Sequence, residues 1–272
     1  MPIEGNRYDF VVAEEQPNGT GGSHADRLPL FSAAPESPVQ RERLVVGPGA
    51  VHVPDWLSLE EQRELIVHCR NWAKPPAPMR KTILPGGKSM SVQTVSLGWH
   101  WLPYRYSRMA EDVDGSPVDP FPEWLGDLGR RAIAAVNGED EANRYAPDCA
   151  LINYYDATAK MGLHQDKDER SDAPVVSLSL GDSCLFRFGN TQTRTKPYKD
   201  VRLHSGDLFV FGGATRFAYH GVPKIFPGTA NPELGMRDGR LNITLRVTGL
   251  TGTNVSITRR GQSSVTSGKL LS

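Results

Sequence analysis

Short strand-like runs separated by glycine-containing turns fill the second half of this 272-residue chain. From Ala150 onward the hydrophobic pattern has a period of two, the spacing at which successive side chains reach opposite faces of a strand. Turns such as Gly181-Asp182 and Gly212-Gly213 separate the runs. This pattern predicts a mainly β fold, an all-β barrel or a jelly roll. The runs are Cys149 to Tyr155, Val175 to Leu180, Cys184 to Phe188, Asp207 to Phe211 and Asn242 to Val247.

Two amphipathic helices are predicted ahead of these strands. Ser58 and Glu61 have the capping-box spacing at the start of the first helix, which runs to Trp72. The second helix is predicted from Pro122 to about Asn137. Their expected apolar faces are formed by Leu65, Ile66, Cys69 and Trp72 in the first helix, and by Trp124, Leu125, Leu128, Ala132 and Val136 in the second.

Composition divides the chain into four parts. Residues 1–44 are polar and rich in Gly, Pro and Ser, so we expect a disordered N-terminal extension. Residues 45–145 hold the predicted helices, and residues 146–250 hold the predicted β core. The Ser/Thr/Gly-rich residues 251–272 are expected to form a flexible tail.

Charge and cysteine content narrow the possible partners and compartment. Lys plus Arg equals Asp plus Glu at 31 each, so a nucleic-acid site would require a local basic patch. Cys69, Cys149 and Cys184 form no CxxC pair and are expected to be reduced thiols. The sequence shows no secretory pattern and no apolar run long enough for a membrane span. We therefore expect a cytoplasmic protein with no membrane partner.

A candidate metal site is formed by His164, Asp166 and, 54 residues after Asp166, His220. Side chains two residues apart in a strand point the same way, so His164 and Asp166 can reach one ion. Two imidazoles and one carboxylate can bind one face of Fe(II) and leave the other face open. An isolated HxD is more often a solvated turn, and zinc is the competing metal, although no cysteine is placed to complete a zinc site.

Two arginines follow the candidate metal ligands. Arg240 and Arg246 lie in the run Arg240-Leu-Asn242-Ile-Thr-Leu-Arg246. A guanidinium can pair with a carboxylate through two parallel hydrogen bonds, whereas the same arginines alone would be an ordinary strand-surface pair. A metal triad followed by an arginine for a dicarboxylate suggests an oxygenase that uses Fe(II), 2-oxoglutarate and O2.

Motifs over residues 44–250 together resemble the AlkB family of nucleic-acid dealkylases, and specifically its bacterial branch. No single motif is specific, but their order over this length is. They are Pro85-Gly-Gly87, Met90-Ser-Val92, Leu97-Gly-Trp99, Leu151-Ile-Asn-Tyr-Tyr155, Leu163-His-Gln-Asp-Lys-Asp-Glu169, Pro174 to Gly181, His204-Ser-Gly-Asp207, Gly212-Gly213, Tyr219-His-Gly221 and Arg240 to Arg246.

This resemblance implies a double-stranded β-helix, or jelly-roll, core with N-terminal helices and a nucleotide-recognition lid within residues 45–145. It implies that Fe(II) is held by three residues, the candidates already named for the metal: His164, Asp166 and His220. It implies that 2-oxoglutarate is held by five: Asn153, Tyr155 and Arg240 at the distal carboxylate, and Asn242 and Arg246 at the end nearer the metal.

The resemblance also implies a substrate, alkylated DNA or RNA, and contacts for it. Trp99 and the ring of His164 would stack on a flipped base, and Asp168 would lie at the base edge. Contacts to the phosphate backbone or base would come from Tyr104, Arg105, Tyr106 and Arg194.

The implied reaction is oxidative demethylation by a monomeric enzyme, with release of formaldehyde, succinate and CO2. The alternatives are the same chemistry on a protein or small molecule, and a catalytically inactive nucleic-acid-binding jelly roll. The chain departs from the bacterial pattern at Phe211, where the family has tryptophan, and by being shorter around Trp99. These departures bear on lid shape and substrate preference.

Overall fold

A computed structural model describes residues 41–251 of the chain. Its strands are β1 (Leu44–Gly47), β2 (Ala50–Val53), β3 (Arg80–Ile83), β4 (Ser89–Leu97), β5 (His100–Leu102), β6 (Arg105–Ser107), β7 (Cys149–Tyr155), β8 (Met161–His164), β9 (Val175–Gly181), β10 (Ser183–Phe188), β11 (Lys199–Leu203), β12 (Leu208–Phe211), β13 (His220–Phe226) and β14 (Arg240–Arg246). Its α-helices are α1 (Leu59–Trp72), α2 (Glu123–Asn137) and α3 (Glu139–Arg144), and single 3₁₀ turns span Gly213–Thr215 and Pro232–Leu234.

Two antiparallel sheets form the centre of the fold. The large sheet has the strand order β1-β2-β12-β9-β14-β7-β4-β3, and the small sheet has the order β11-β10-β13-β8. Phenylalanines pack between them, as where Phe186 of β10 meets Phe209 of β12 edge to face with ring centroids 4.8 Å apart. Non-consecutive strands alternate within each sheet, which confirms the predicted jelly-roll class.

Strand β14 shows how the large sheet separates its two faces. Leu241, Ile243 and Leu245 point into an apolar core shared with α1 and α2. The alternate residues Arg240, Asn242, Thr244 and Arg246 lie on the opposite face and are also buried. A polar row buried on one face of a central strand requires partners, and these partners form the site described below.

Both predicted helices are present. The Ser58 hydroxyl oxygen accepts a hydrogen bond from the Glu61 amide, and the Glu61 carboxylate accepts one from the Ser58 amide, so the predicted capping box is confirmed. In α2, however, Trp124 is 40% exposed and stacks on Trp72 of α1 instead of entering the core, so its predicted burial is wrong. Helix α3 was not predicted because it is one short turn of charged residues.

Residues 45–145 contain more β structure than the sequence pattern indicates. Strands β1 to β4 extend the large sheet at both edges, and β5 and β6 form a separate hairpin. Each of these strands except β4 has only three or four residues, too few for a period of two to be recognised.

The proposed extension and tail fall mostly outside the described residues. Residues 1–40 and 252–272 are not described, whereas Arg41 is, and it forms an ion pair with buried Asp207. Within residues 41–251, Cys69, Cys149 and Cys184 are buried free thiols. None of the helices in this part of the chain is long and apolar enough to cross a membrane.

Candidate metal and carboxylate site

The three predicted metal ligands come together. His164 ends β8 and His220 begins β13, and the two residues face each other directly across this strand pair. Asp166 follows His164 in the next loop, with its carboxylate oxygens 3.5 Å from His164 Nε2 and 3.6 Å from His220 Nε2. The three donor atoms lie within 4.8 Å of one another, which fits a single metal ion.

Hydrogen bonds prepare both imidazoles for metal binding. His164 Nδ1 lies 3.0 Å from the Gly162 carbonyl oxygen, and His220 Nδ1 lies 3.0 Å from that of Ala218. A carbonyl can only accept, so each Nδ1 carries the proton and each Nε2 presents its lone pair toward Asp166. This donor set fits Fe(II).

Asp166 is kept ionised despite its burial. Burial acts to raise the pKa of its carboxyl, but the charge of Arg246 holds the pKa well below its usual range. The Arg246 guanidinium lies 2.7 Å from Asp166 Oδ2. A charged carboxylate is the form that a metal requires.

Arg240 forms a second binding element, deep on the same face of the sheet. Its side chain is 1% exposed and donates to the Ser179 hydroxyl at 3.0 Å. Its Nε and Nη1 atoms have no hydrogen-bond partner. A buried guanidinium with unused donors is costly, so the position fits a carboxylate that the chain does not itself provide.

Polar side chains of three strands line the space next to Arg240. Tyr155 of β7 is directly opposite Arg240 in the sheet, and Asn153 is opposite Asn242. Asn242 donates to the Ser177 hydroxyl at 2.7 Å, and Asn153 accepts from Thr94 at 2.8 Å. These bonds fix the amide orientations. Three of the predicted residues, Asn153, Tyr155 and Asn242, therefore lie beside Arg240 on one face of the sheet.

Arg246 lies in a different environment. Besides Asp166, it contacts Glu169 at 2.8 Å, and Arg216 binds the other Glu169 oxygen at 3.1 Å. Arg216 also donates to the Asp166 carbonyl oxygen at 2.6 Å. The loop that carries Asp166 is therefore held by two arginines joined through one carboxylate.

Sequence reasoning missed Glu169 and Arg216. Glu169 belongs to the charged run after Asp166, which suggested a solvated loop, yet its side chain is fully buried. The sequence feature that indicates a buried ion pair is Arg216, a charged residue within an apolar stretch, four positions before His220.

The structure corrects the expected role of Tyr106. Its side chain is 3% exposed, and its hydroxyl donates to Glu169 and accepts from Arg246 at 3.2 Å. Tyr106 is therefore part of the ion-pair network and cannot reach a phosphate at the surface.

Trp99 is also not where the sequence predicted. It is 1% exposed, its indole donates to Asp148 at 3.1 Å, and the Arg108 guanidinium covers its ring at 3.6 Å. Trp101 instead is half-buried and donates from Nε1 to Asp168 at 3.0 Å. Trp101, and not Trp99, is thus the tryptophan that contacts the loop of the metal ligand Asp166. The contact is made through Asp168, two residues after Asp166.

Asp168 lies two residues after Asp166 and accepts the hydrogen bond from Trp101. Burial raises the pKa of its carboxyl, while the Trp101 hydrogen bond opposes that shift.

The remaining predicted contacts are at the surface. Tyr104 is 59% exposed at the tip of the β5–β6 hairpin, with a φ of 67°. Arg105 beside it is paired with Glu111, so its charge is already neutralised. Arg194 is exposed, 5.7 Å from the centre of the Tyr219 ring, which adjoins His220.

Comparison with known proteins agrees with this geometry. The profile of the 2OG-Fe(II) oxygenase superfamily matches residues 49–246, and the chain belongs to that family. Membership implies Fe(II) as cofactor and 2-oxoglutarate and O2 as co-substrates, which confirms the prediction from the metal triad.

Individual relatives confirm the resemblance to AlkB. The chain is 38% identical over 209 residues to the Caulobacter vibrioides protein named alpha-ketoglutarate-dependent dioxygenase AlkB homolog, covering 75% of this chain and 89% of that one. It is 32% identical over 228 residues to the Arabidopsis thaliana protein named DNA N(6)-methyladenine demethylase ALKBH1D, covering 76% and 51%. The chain thus spans about half the length of that plant relative.

A solved structure shares the fold. The structure of OsALKBH1 superposes with a TM-score of 0.67 at 32% identity, covering 75% of this chain and 99% of that chain.

Proposed function

We propose that this protein oxidatively demethylates N-alkylated bases, of the 1-methyladenine and 3-methylcytosine type, in DNA or RNA. The observation that carries the proposal is the placement of the His164, Asp166 and His220 donor set beside the unsatisfied buried guanidinium of Arg240. The names of the relatives, an AlkB dioxygenase homolog and a DNA N(6)-methyladenine demethylase, support a methylated nucleic acid as the substrate.

Each group of residues has a distinct task in this proposal. His164, Asp166 and His220 hold Fe(II), which with 2-oxoglutarate and O2 supplies the oxidising chemistry. Arg240 pairs with the distal carboxylate of 2-oxoglutarate, where Asn153 and Tyr155 supply further polar contacts. Arg246 fixes the Asp166 carboxylate and, with Asn242, borders the end nearer the metal.

The net reaction balances without a further reactant. One oxygen atom of O2 enters succinate as 2-oxoglutarate loses CO2, and the other is inserted into a C–H bond of the N-methyl group. The C–N bond of the resulting N-hydroxymethyl group then breaks: formaldehyde leaves, the hydroxyl proton is released, and the ring nitrogen of the cationic lesion keeps the electron pair and becomes neutral.

The substrate base is proposed to enter beside Trp101 instead of Trp99. A flipped base needs an aromatic face, and Trp101 is the half-exposed tryptophan bonded to the loop of Asp166. Asp168 would then lie near the base edge, where a carboxylate favours a methylated ring that carries positive charge. Tyr104 and Arg194 would contact the flanking strand from two sides.

The test is a coupled assay on defined lesions. Protein loaded anaerobically with Fe(II) and 2-oxoglutarate would be given O2 and an oligonucleotide bearing 1-methyladenine, 3-methylcytosine or N6-methyladenine. We expect formaldehyde and loss of one methyl mass from at least one lesion, in equal amounts with succinate, and neither from His164→Ala. Succinate without formaldehyde from any lesion would overturn the proposal and favour a protein or small-molecule substrate.

We further propose that the protein acts as a cytoplasmic monomer. The three buried free thiols support a reducing compartment. Light scattering on the eluting protein should give the mass of one chain, 29.9 kDa. A dimer mass would contradict this, as would fractionation of the tagged protein outside the cytoplasm.

A further inference from the structure

The outer face of the small sheet is basic, although the chain as a whole has no net charge. Between Ser183 and Phe226, the buried charged residues are Asp207 and Arg216. The other charged side chains in this range are six cations and one carboxylate, all exposed or half-exposed: Arg187, Arg194, Lys196, Lys199, Arg202, Lys224 and Asp200. Arg187, Arg202 and Lys224 point outward from the sheet, and we call these three cations the basic face. Lys199 is opposite the inward-pointing Phe188 and donates to the Val46 carbonyl oxygen instead.

Strand alternation explains why this charge collects outside. Cys184, Phe186 and Phe188 of β10 point into the core between the sheets, so Leu185 and Arg187 point outward. Leu185 is directly opposite Arg202 of β11 on one side and Lys224 of β13 on the other. The cations are therefore neighbours across three adjacent strands.

Aromatic rings lie among these cations. Arg187 stacks over Tyr198 at 3.9 Å from the ring centre. Arg202 and Lys224 lie over the same ring, that of Phe226, at 3.9 and 4.9 Å. Such contacts hold long side chains in place and keep their charge at the surface.

The charge on this face is largely uncompensated. Among the described residues, Arg187 pairs with Asp200, whereas neither Arg202 nor Lys224 has an acidic partner within 4 Å. Cations and aromatic rings interleaved on an exposed surface fit a single nucleic-acid strand, whose phosphates are spaced along a flexible backbone and whose bases can stack.

The metal ligand His220 points to the inner face of the small sheet, next to the end of the basic face at Arg187, which is opposite Gly221. Phe188 of β10 is opposite His220, and Arg194 lies over Tyr219, the residue before His220. Lys224 is four residues beyond His220 on β13, which corresponds to about 13 Å of strand. A strand with one base at the metal site would turn around this end of the sheet, so that neighbouring nucleotides meet the basic face.

We propose that the basic face binds the single-stranded segment flanking the target base, through its phosphates and through stacking on Tyr198 and Phe226. This inference rests on the proposed function, because it takes the metal site as the place of the target base. It adds a contact surface on the small sheet, which is built from different strands than the β5–β6 hairpin.

The test compares substrates of different length. The double variant Arg202→Gln/Lys224→Gln removes two charges from an exposed surface, and Lys74→Gln/Arg144→Gln removes two exposed charges from the helical side as a control. Both would be assayed on a methylated trinucleotide and on a methylated 15-nucleotide single strand at several salt concentrations.

We expect the Arg202/Lys224 variant to raise KM for the 15-mer about 5- to 10-fold at low salt and to leave kcat/KM for the trinucleotide unchanged. Its salt dependence should be shallower by a slope of about 1.4, since each phosphate contact on a single strand contributes about 0.7. The control should match the wild type on both substrates.

An unchanged KM and salt slope for the 15-mer would overturn the proposal. If the wild type demethylates nothing, fluorescence anisotropy with an unmethylated 15-mer still decides the question. Weaker binding by the Arg202/Lys224 variant than by the control would support the basic face independently of the reaction, and equal binding would refute it.

Discussion

The two ends of β14 carry buried arginines in opposite surroundings. Arg246 is held by two carboxylates of the chain, Asp166 at 2.7 Å and Glu169 at 2.8 Å. Arg240, on the same face six residues earlier, has two nitrogen atoms without any partner. Arg246 thus lacks a partner at Nε alone, whereas Arg240 lacks one at both Nε and Nη1 until a ligand binds.

This difference separates a stabilising charge from a binding charge. A buried arginine with paired carboxylates contributes to the folded state, and its removal leaves those carboxylates uncompensated. A buried arginine with open donors weakens the folded state and gains its partner only from a ligand. The two residues should therefore respond to the same substitution in opposite ways.

The largest expected effect is on stability, from Arg246→Met. Asp166 and Glu169 lose their shared cation, so the free energy of unfolding should fall by about 3–5 kcal/mol. Denaturant unfolding followed by circular dichroism measures this. The exposed Arg237→Met serves as the control and should change stability by no more than about 0.5 kcal/mol. A similarly small change for Arg246→Met would show that Arg246 does not stabilise the folded state.

Arg240→Met should leave stability intact and weaken binding of the co-substrate, the reverse of Arg246→Met. Without 2-oxoglutarate, stability should be unchanged or higher by about 1 kcal/mol, because an unpaired buried charge is replaced by an apolar side chain. The KM for 2-oxoglutarate should rise about 100-fold, equivalent to nearly 3 kcal/mol. Succinate formation against 2-oxoglutarate concentration gives the KM, and a wild-type value would show that the co-substrate binds elsewhere.

Asp207 is a buried carboxylate outside the site whose charge is fully paired, and it provides a reference for the stability that such pairing contributes. Burial acts to raise its pKa, but hydrogen bonds from His52 and Arg41 and from two backbone amides bring the pKa down to about 2. A depressed folded-state pKa stabilises the protein above the unfolded-state pKa, and this contribution is lost as pH falls from about 4 to about 2.

Wild type should therefore exceed Asp207→Asn in unfolding free energy by about 2 kcal/mol at pH 6, and the gap should close toward pH 2. Chemical denaturation of both proteins across this range measures the gap. A difference that does not depend on pH would mean that the lost hydrogen bonds, and not the charge, account for it.

Tyr106→Phe should have the smallest effect. We expect it to lower stability by disturbing the contacts of Arg246, without changing substrate binding. Losing the hydroxyl removes one hydrogen bond each to Glu169 and Arg246, so stability should fall by about 1 kcal/mol. The KM for a long oligonucleotide should stay at the wild-type value. A raised KM with unchanged stability would instead support the substrate contact that the sequence predicts for Tyr106.

The sequence predicts the metal triad because the pattern that identifies the ligands is short and follows the two-residue period of a strand. His164 and Asp166 are two residues apart, and the strand containing His220 needs only to pair beside them. The same holds for β7 and β14, whose long alternating runs identify both the strands and the face that carries Arg240.

The tryptophans show where such reasoning fails. Trp99 and Trp101 are two residues apart, so one strand would place them on the same face. Gly98 has a φ of 74°, and the Trp99 amide donates back to the Leu97 carbonyl, so the chain turns before β5 begins. A Cβ at Gly98 would lie 2.1 Å from the Asp148 carbonyl oxygen, a tertiary contact that no local pattern reveals.

Glu169 and Arg216 were missed for a related reason. A charged residue is expected at the surface unless its partner is known. Here the partners are distant in the chain, 47 residues apart between Arg216 and Glu169 and 77 between Arg246 and Glu169. Only the folded topology brings them together.

The alternation of β14 has a consequence for how this fold tolerates change. The strand pairs in register with β7 and β9 at once, so a slip of its register by one residue would turn Arg240, Asn242 and Arg246 toward the helices and the leucines toward the metal. Such a chain would lose its core and its chemistry in one step. Misregistered copies would therefore fail to fold instead of persisting as folded but inactive enzyme.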